Sequence, residues 1–446
     1  MTRPWALLLV MALGATTLAV AGPTPASSAA ASVAVDDAPV NFHRWQTHRQ
    51  WRSGTAAGVK VTPGPRPAVT LSRPIGTTDY TDPHTGITRT WEYGTWTSPF
   101  YELNFGATEV VPSWNARTPA GTWLAVETRV RYATGELSPW YVMARWASGD
   151  QDIRRTTVNG QGDRYSTVWT DTIAIDNRDV TRIRAYQIRL TLYREPGSRI
   201  SPQVWMVGAM ASDIPPRFTV EPSTGGIAWG IELNVPRRSQ NIHIGEYPEY
   251  NGGGQAWCSP TSTTMVLEYW NRHPSEEDLA WVDPSYQDPQ VDHAARMVFD
   301  YAYDGAGNWP FNTAYAATYH DMEGIVTRLH SLTELELFIR AGIPVVTSQS
   351  FLAEELDGAG YGTAGHLFVV IGFTRDGDVV VNDPASPSNE AVRHVYQREQ
   401  FEQIWLRTQR YRADGSIGSG SGGIVYLIKP RQVPWPRVLD RVNPNW

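Results

Sequence analysis

The sequence predicts an α+β protein in two parts, an all-β N-terminal region followed by a region in which helices and strands mix. Three observations carry this. From about residue 40 to 222 apolar and polar residues alternate with a period of two, as in Leu124, Val126, Thr128, Val130, Tyr132 and again in Tyr186, Ile188, Leu190, Leu192. Prolines and glycines then cluster at Pro215-Pro216 and from Pro222 to Gly226, which marks a boundary. Beyond it helix-capping signals and strand-like apolar runs take turns. The 446 residues suffice for two or three cores, at about 100–200 residues per domain. Lys and Arg number 38 against 45 Asp and Glu, 41% of residues are hydrophobic and 19% charged, which excludes a disordered chain and a basic nucleic-acid-coating protein.

At the N-terminus, Arg3 precedes an apolar run from Ala6 to Ala21 that ends in the small-x-small pattern Ala19-Val20-Ala21. Residues 1–21 are expected to be a signal peptide and 22–39 a flexible Ala/Ser/Pro leader. The run is too short and too diluted by Ala and Thr to read well as a permanent anchor. A secreted, extracellular protein without stable membrane insertion after cleavage is the expectation.

Residues 40–222 read as a β-sandwich or jelly-roll-like domain. Tyr141–Ala147, Ser166–Ile175 and Val204–Ser212 are further strand candidates, and Asn159-Gly160 is a tight-turn signal. Nineteen tryptophans raise the prospect of a glycan or cell-wall ligand for this domain, although large aromatics in a sandwich more often fill its core.

In the second part, 227–446, Pro260 to about Asn271 reads as a helix with Met265, Val266, Tyr269 and Trp270 on one side. Ser331-Leu332-Thr333-Glu334 is a capping box, and Gly342 closes the helix it opens. Pro344–Ser348, His366–Thr374, Val379–Asn382 and Ile424–Ile428 are strand candidates, with Asp376-Gly377 a tight turn between the middle pair. The glycine-rich stretch 415–423 lacks the Lys-Ser/Thr ending of a phosphate cradle and reads as a plain loop. The change of texture at 213–226 suggests that the part from 227 onward folds alone.

Cys258 is the only cysteine, so it cannot form a disulfide within the chain. It stands where the loop Asn251-Gly-Gly-Gly-Gln-Ala-Trp257 meets a helix, with Pro260 in the first turn. The partial positive charge of a helix N-terminus favours thiolate over thiol, which a cysteine nucleophile needs. A buried inert thiol is the competing reading. Of the ten histidines, His366 is best placed to serve the sulfur, at the mouth of the apolar strand 366–374. Asp383 follows the next strand, and two antiparallel neighbours joined by a tight turn can bring the two together. Asp383 would then orient the imidazole, with Asn382 the weaker alternative.

Four pieces in chain order resemble the C39-like peptidases: Val235-Pro-Arg-Arg-Ser-Gln240, Trp257-Cys258-Ser-Pro-Thr-Ser-Thr-Thr-Met-Val-Leu267, Gly365-His366-Leu-Phe-Val-Val-Ile-Gly-Phe373 and Val381-Asn-Asp383-Pro384. The resemblance covers about 228–430. It implies a papain-like fold, Cys258 as nucleophile, His366 as general base, Asp383 as orienter and Gln240 as the oxyanion-hole amide. Ser259-Pro260 stands where the family often has Gly, leaving less room beside the sulfur. The long gap between Gln240 and Cys258 makes Gln255 a rival oxyanion donor. The membrane spans and ATPase of the transporter-coupled members have no counterpart here.

The resulting expectation is a secreted cysteine peptidase that hydrolyses peptide bonds through an acyl-enzyme, with no cofactor, no metal and no nucleic-acid partner. Two alternatives remain: a papain-like cell-wall peptide amidase, and a non-catalytic wall- or glycan-binding protein. His273 and His293 lie near Glu276, Glu277, Asp278 and Asp292, but the spacing resembles no zinc site and reads as helix-surface charge. Asn308–Ala316 reads as an aromatic loop that walls a cleft or simply packs.

Overall fold

The structure is a computed structural model that describes residues 38–437, 445 and 446. The expected signal peptide and nearly all of the leader lie outside the described residues.

The N-terminal region forms two antiparallel sheets of seven strands each. Val40–Trp45, Val59–Val61, Val69–Leu71, Glu109–Arg117, Ser166–Trp169, Thr172–Ile175 and Gln203–Ser212 make the first. Thr55–Ala57, Gly76–Thr81, Thr88–Thr97, Tyr101–Ala107, Thr122–Tyr132, Tyr141–Trp146 and Ile183–Arg194 make the second. The alternation seen in the sequence is the pleat: Leu124, Val126, Val130 and Tyr132 bury themselves on one face while Glu127, Arg129 and Arg131 point outward. The sheets pack face to face through aromatics, with Trp45 edge-on to Trp96 and Tyr186, and Tyr186 Oη donating to the Ala209 carbonyl at 3.1 Å. Most of the tryptophans here are core residues, among them Trp45, Trp91, Trp96, Trp114, Trp123 and Trp146; Trp169, at a hairpin tip, is an exposed one.

The second part is α+β. Its six-stranded sheet runs in the order Met322–Arg328, Ile424–Pro430, Val345–Phe351, Thr363–Phe373, Val379–Asn382, Arg393–Tyr396, antiparallel throughout. The helix Cys258–Tyr269 packs on the strand Thr363–Phe373 and is buried along nearly all its length. Its small hydroxyl residues make this possible. Ser259 Oγ bonds Tyr426 Oη at 2.8 Å, Ser262 Oγ donates to the Leu367 carbonyl, and Thr263 Oγ1 donates to Asn312 Oδ1. The helix Leu332–Arg340 is capped by Ser331, whose hydroxyl accepts from Glu334 N. The reciprocal half of the box is absent, because the Glu334 carboxylate accepts from His330 N instead. Gly377, at φ +94°, makes the turn expected between the strands ending at 373 and beginning at 379.

Two local readings change. Trp309–Ala316 is a helix, not a loop: Asn308 caps it by accepting from Phe311 N, and Pro310 sits in its first turn. Residues 417–419 of the glycine-rich stretch pair with 409–411 just before it as a short hairpin. The segment 231–235 lies extended along the edge near Phe373, tied by Leu233 N to the Ile371 carbonyl and Phe373 N to the Ile231 carbonyl.

The two parts share one continuous core. Trp114 and Trp146 of the sandwich meet Phe311 edge-on, and the strand Glu109–Arg117 lies against Met322–Arg328 through Asn115 Nδ2 to the Gly324 carbonyl (2.7 Å) and Val326 N to Ser113 Oγ. Arg155 is fully buried and donates to the carbonyls of Ala147, Gly149 and Arg296. Asp300 accepts from Thr157 N, Thr157 Oγ1 and Asn308 Nδ2, while Asp150 pairs with Arg296 through two hydrogen bonds. The boundary segment 213–226 contains no strand or helix, yet it is strapped to the second part through Val220 N to Gln403 Oε1 and Ser223 N to Glu402 Oε2.

Cutting at 226 would expose Phe311 and leave these polar groups unpaired. The segment 227–446 alone is therefore expected to lack a cooperative thermal transition, measured by calorimetry beside the full chain. In the full chain, Arg155→Ala strands three carbonyls at about 1–3 kcal/mol each, so a loss of at least about 3 kcal/mol is expected in urea unfolding.

Candidate active site

Three glycines and a left-handed asparagine bring the chain to Cys258. Asn251, Gly252 and Gly253 hold φ of +63°, +76° and +100°, which coils the loop onto itself. A β-carbon at Gly254 would lie 2.3 Å from the Gln240 carbonyl oxygen, so only glycine fits there. Trp257 then anchors the turn: it is fully buried, with Nε1 donating to the Tyr250 carbonyl at 2.6 Å. Cys258 is the first helical residue, partly exposed, and Trp257 supplies no side-chain cap that would compete for the first-turn N–H groups. Ser259 does not crowd the sulfur, since it is buried against Tyr426.

His366 and Asp383 meet because of strand register. Val369 pairs with Asn382 and Val370 with Val381, so the residue after Asn382 arrives beside the start of the apolar strand. His366 Nε2 lies 2.9 Å from Asp383 Oδ1. Both are buried, and the ring stands edge-on to Tyr361 and Phe368. With Nε2 committed to the carboxylate, the other ring nitrogen is left for Cys258. Burial works against the imidazolium, but the charges of Cys258 and Asp383 outweigh it and raise the His366 pKa to about 10. Asp383 is held below the usual carboxylate range: burial pushes it up, and the His366 charge together with its hydrogen bonds more than reverses that.

Asp383 has four donors. Besides His366, the Ala385 N–H reaches Oδ1, and the hydroxyls of Tyr361 and Tyr396 both donate to Oδ2 at 2.9 Å. Neither tyrosine is among the residues nominated from sequence. Tyr396 sits on the edge strand Arg393–Tyr396 and Tyr361 in the loop before the strand Thr363–Phe373, and nothing in their local sequence marks them as partners of Asp383. Asn382, the alternative orienter, turns away and donates to the carbonyls of Val235 and Pro236.

The two glutamines are linked. Gln240 is buried, its backbone N–H donates to the Pro384 carbonyl, and its Nε2 donates to the Gln255 carbonyl at 2.9 Å. Its mount is thus the backbone next to Asp383. The Gln255 side chain is exposed and folds back onto the Gly252 carbonyl.

Cys258, His366, Gln240 and Gln255 open on one cleft of about 900 Å³. Trp309 and Tyr361 form parts of its walls, and the backbone from Gly360 to Gly365 and from Ser419 to Ser421 lines the rest. Among the described residues that line it, none is Asp, Glu, Lys or Arg. The sandwich reaches this wall, because Asp171 Oδ2 accepts the Trp309 N–H at the start of the helix Trp309–Ala316.

The metal question takes a different form from the one the sequence poses. His273 is exposed and His293 turns to the Asp278 carbonyl, but Asp292 is not a surface charge: it is fully buried beside His243, with Glu246 near.

Two family models match the chain. Residues 41–212 match the peptidase C39 N-terminal domain, and residues 232–413 match the Peptidase_C39 like family. No curated protein gives a match. Among solved structures, a chain from Bacillus anthracis described as a candidate C39-like peptidase aligns at 19% identity over 45% of this chain and 97% of that one, with a TM-score of 0.28, too loose a superposition to carry an argument.

Two outcomes are expected of the thiol–imidazole pair. Iodoacetamide should label Cys258 in the folded protein at pH 6 faster than free cysteine, and His366→Ala should remove that advantage. Because the His366 pKa is raised, its proton is retained below about pH 10 and lost above it. Labelling or activity that depends on the imidazolium should therefore persist well past pH 6.5 and decline only near pH 10, as read from a pH–rate profile.

Proposed function

We propose, for a chain that belongs to the C39-like peptidase family, that Cys258, His366 and Asp383 hydrolyse peptide bonds through a thioester acyl-enzyme. The observation that carries this is the His366 ring, fixed by Asp383 at 2.9 Å and charged by the neighbouring sulfur and carboxylate, beside a cleft of about 900 Å³. The Cys258 thiolate attacks the peptide carbonyl carbon, and the carbonyl electrons move onto oxygen. His366 gives its proton to the leaving amine as the C–N bond breaks. The neutral imidazole then takes a proton from water, which attacks the thioester and releases the acid. Asp383 stays ionised throughout and holds the ring.

Gln240 is the proposed oxyanion donor. One amide hydrogen is engaged by the Gln255 carbonyl, and the other is free to face the developing charge; the buried mount fixes it beforehand. We also propose that the protein is exported, on the strength of the apolar run Ala6–Ala21. Apart from the Cys258–His366 pair the described lining carries no charged side chain, which favours ordinary peptide over carboxylate-rich wall peptides, for which it offers no Lys or Arg.

Gln240→Ala is expected to lower kcat by about 10²–10³-fold while still accepting the thiol label, and Gln255→Ala to lower it far less. The reverse order would assign the oxyanion to Gln255. Mass spectrometry of products from casein and from purified cell wall separates the substrates: new peptide termini from casein support the reading, and release of wall peptides alone would replace it with an amidase. A chain that accepts the label yet yields neither product would be a binding protein.

A further inference from the structure

Behind the loop that leads to Cys258, three side chains from one turn and one helix converge. His243 and Asp292 are fully buried and Glu246 is partly so, and one ligand atom of each lies within 4.8 Å of the others. His243 Nδ1 is 2.6 Å from Glu246 Oε2 and 3.3 Å from Asp292 Oδ2. A single N–H serves one acceptor well, and Glu246 has the better claim. Both Asp292 oxygens are then left without a hydrogen-bond partner at full burial, and among the described residues no Lys or Arg pairs with either carboxylate. A buried carboxylate without a donor is among the costlier arrangements in a fold.

Charge counting narrows what would satisfy it. An imidazolium beside two carboxylates leaves one uncompensated negative charge. A dication with neutral imidazole and two carboxylates leaves none. Bonds of about 2.0–2.2 Å in a tetrahedral site put neighbouring ligand atoms about 3.3–3.6 Å apart; His243 and Asp292 already stand at 3.3 Å, and the 2.6 Å hydrogen bond between His243 and Glu246 would open to admit the ion. An imidazole nitrogen counts against calcium and magnesium, which prefer oxygen throughout, and for a borderline ion such as zinc.

We propose that His243, Glu246 and Asp292 bind one zinc-class divalent cation, with a fourth position open to water on the Glu246 side. The ion would join the 241–246 turn to the helix Pro289–Val298. The same turn packs on Gly254 and stands beside Trp257, whose ring centroid is 5.9 Å from that of His243. The site is structural: it holds the loop that carries Gln255 to Cys258, and the proposal is independent of the chemistry assigned to that cysteine.

The test uses the full chain with Cys258→Ala, so that the thiol cannot bind the metal, after dialysis against chelator. Calorimetric titration with zinc chloride should show one zinc per chain, and the melting temperature should rise with zinc but not with magnesium or calcium. Asp292→Asn should weaken zinc binding by at least about 100-fold. Because that variant can fail to fold, Glu246→Gln, at a partly exposed position, should independently weaken it by at least about 10-fold. Absence of stoichiometric zinc uptake, uptake unchanged in both variants, or a preference for calcium would overturn the proposal.

Discussion

The carboxylate of Asp383 is where the separate pieces of the site are tied. It sits at the end of a four-residue strand, buried, and accepts from the His366 ring, the Ala385 amide and two tyrosine hydroxyls. Each donor belongs to a different purpose. The imidazole is chemistry, Ala385 closes the local turn, Tyr361 comes from the loop that walls the cleft, and Tyr396 comes from the edge strand. Four donors let a charge exist where water does not reach, and in doing so they fix four pieces of backbone relative to one another. Even Gln240 is set by this point, because its amide donates to the carbonyl of the very next residue, Pro384.

A second dependence runs through the sandwich. The helix Trp309–Ala316 stands between the two parts: Phe311 enters the aromatic cluster of Trp114 and Trp146, Asn312 meets the cysteine helix through Thr263, and Trp309 faces the cleft. Its first amide is accepted by Asp171, a sandwich residue whose own burial raises its pKa to about 6. The N-terminal region is thus a supporting wall of the site and not a module on a tether. That is the physical reason why the proline- and glycine-rich stretch 213–226 reads as a linker in sequence and behaves as a strap in space.

Much of this was legible because it rests on local rules. Period-two alternation gave the strands, Asp376-Gly377 gave the hairpin, and from that hairpin alone the meeting of His366 with Asp383 followed. The features that escaped are those that depend on long-range contacts. Tyr361 and Tyr396 look like any aromatic until the sheet order is known. Trp309–Ala316 is buried on nearly all sides, Asn312 and Thr313 included, and so has no amphipathic period to betray a helix, since it is covered by both parts at once. Asp292 sits in a run of charged residues that suggests a solvated face, and only tertiary packing shows it buried against His243. The half-formed capping box at Ser331 belongs to the same group, because Glu334 was claimed by the His330 backbone.

The cleft lining of amides, hydroxyls, glycines and aromatic edges has a consequence for how a substrate arrives. Apart from the Cys258–His366 pair, no charged side chain among the described residues lines the cleft, so its walls add little to draw an ionic partner in. Encounter would proceed at the unassisted rate for orientationally constrained docking, about 10⁵–10⁶ M⁻¹s⁻¹. The speed of encounter with an uncharged peptide should therefore depend little on ionic strength.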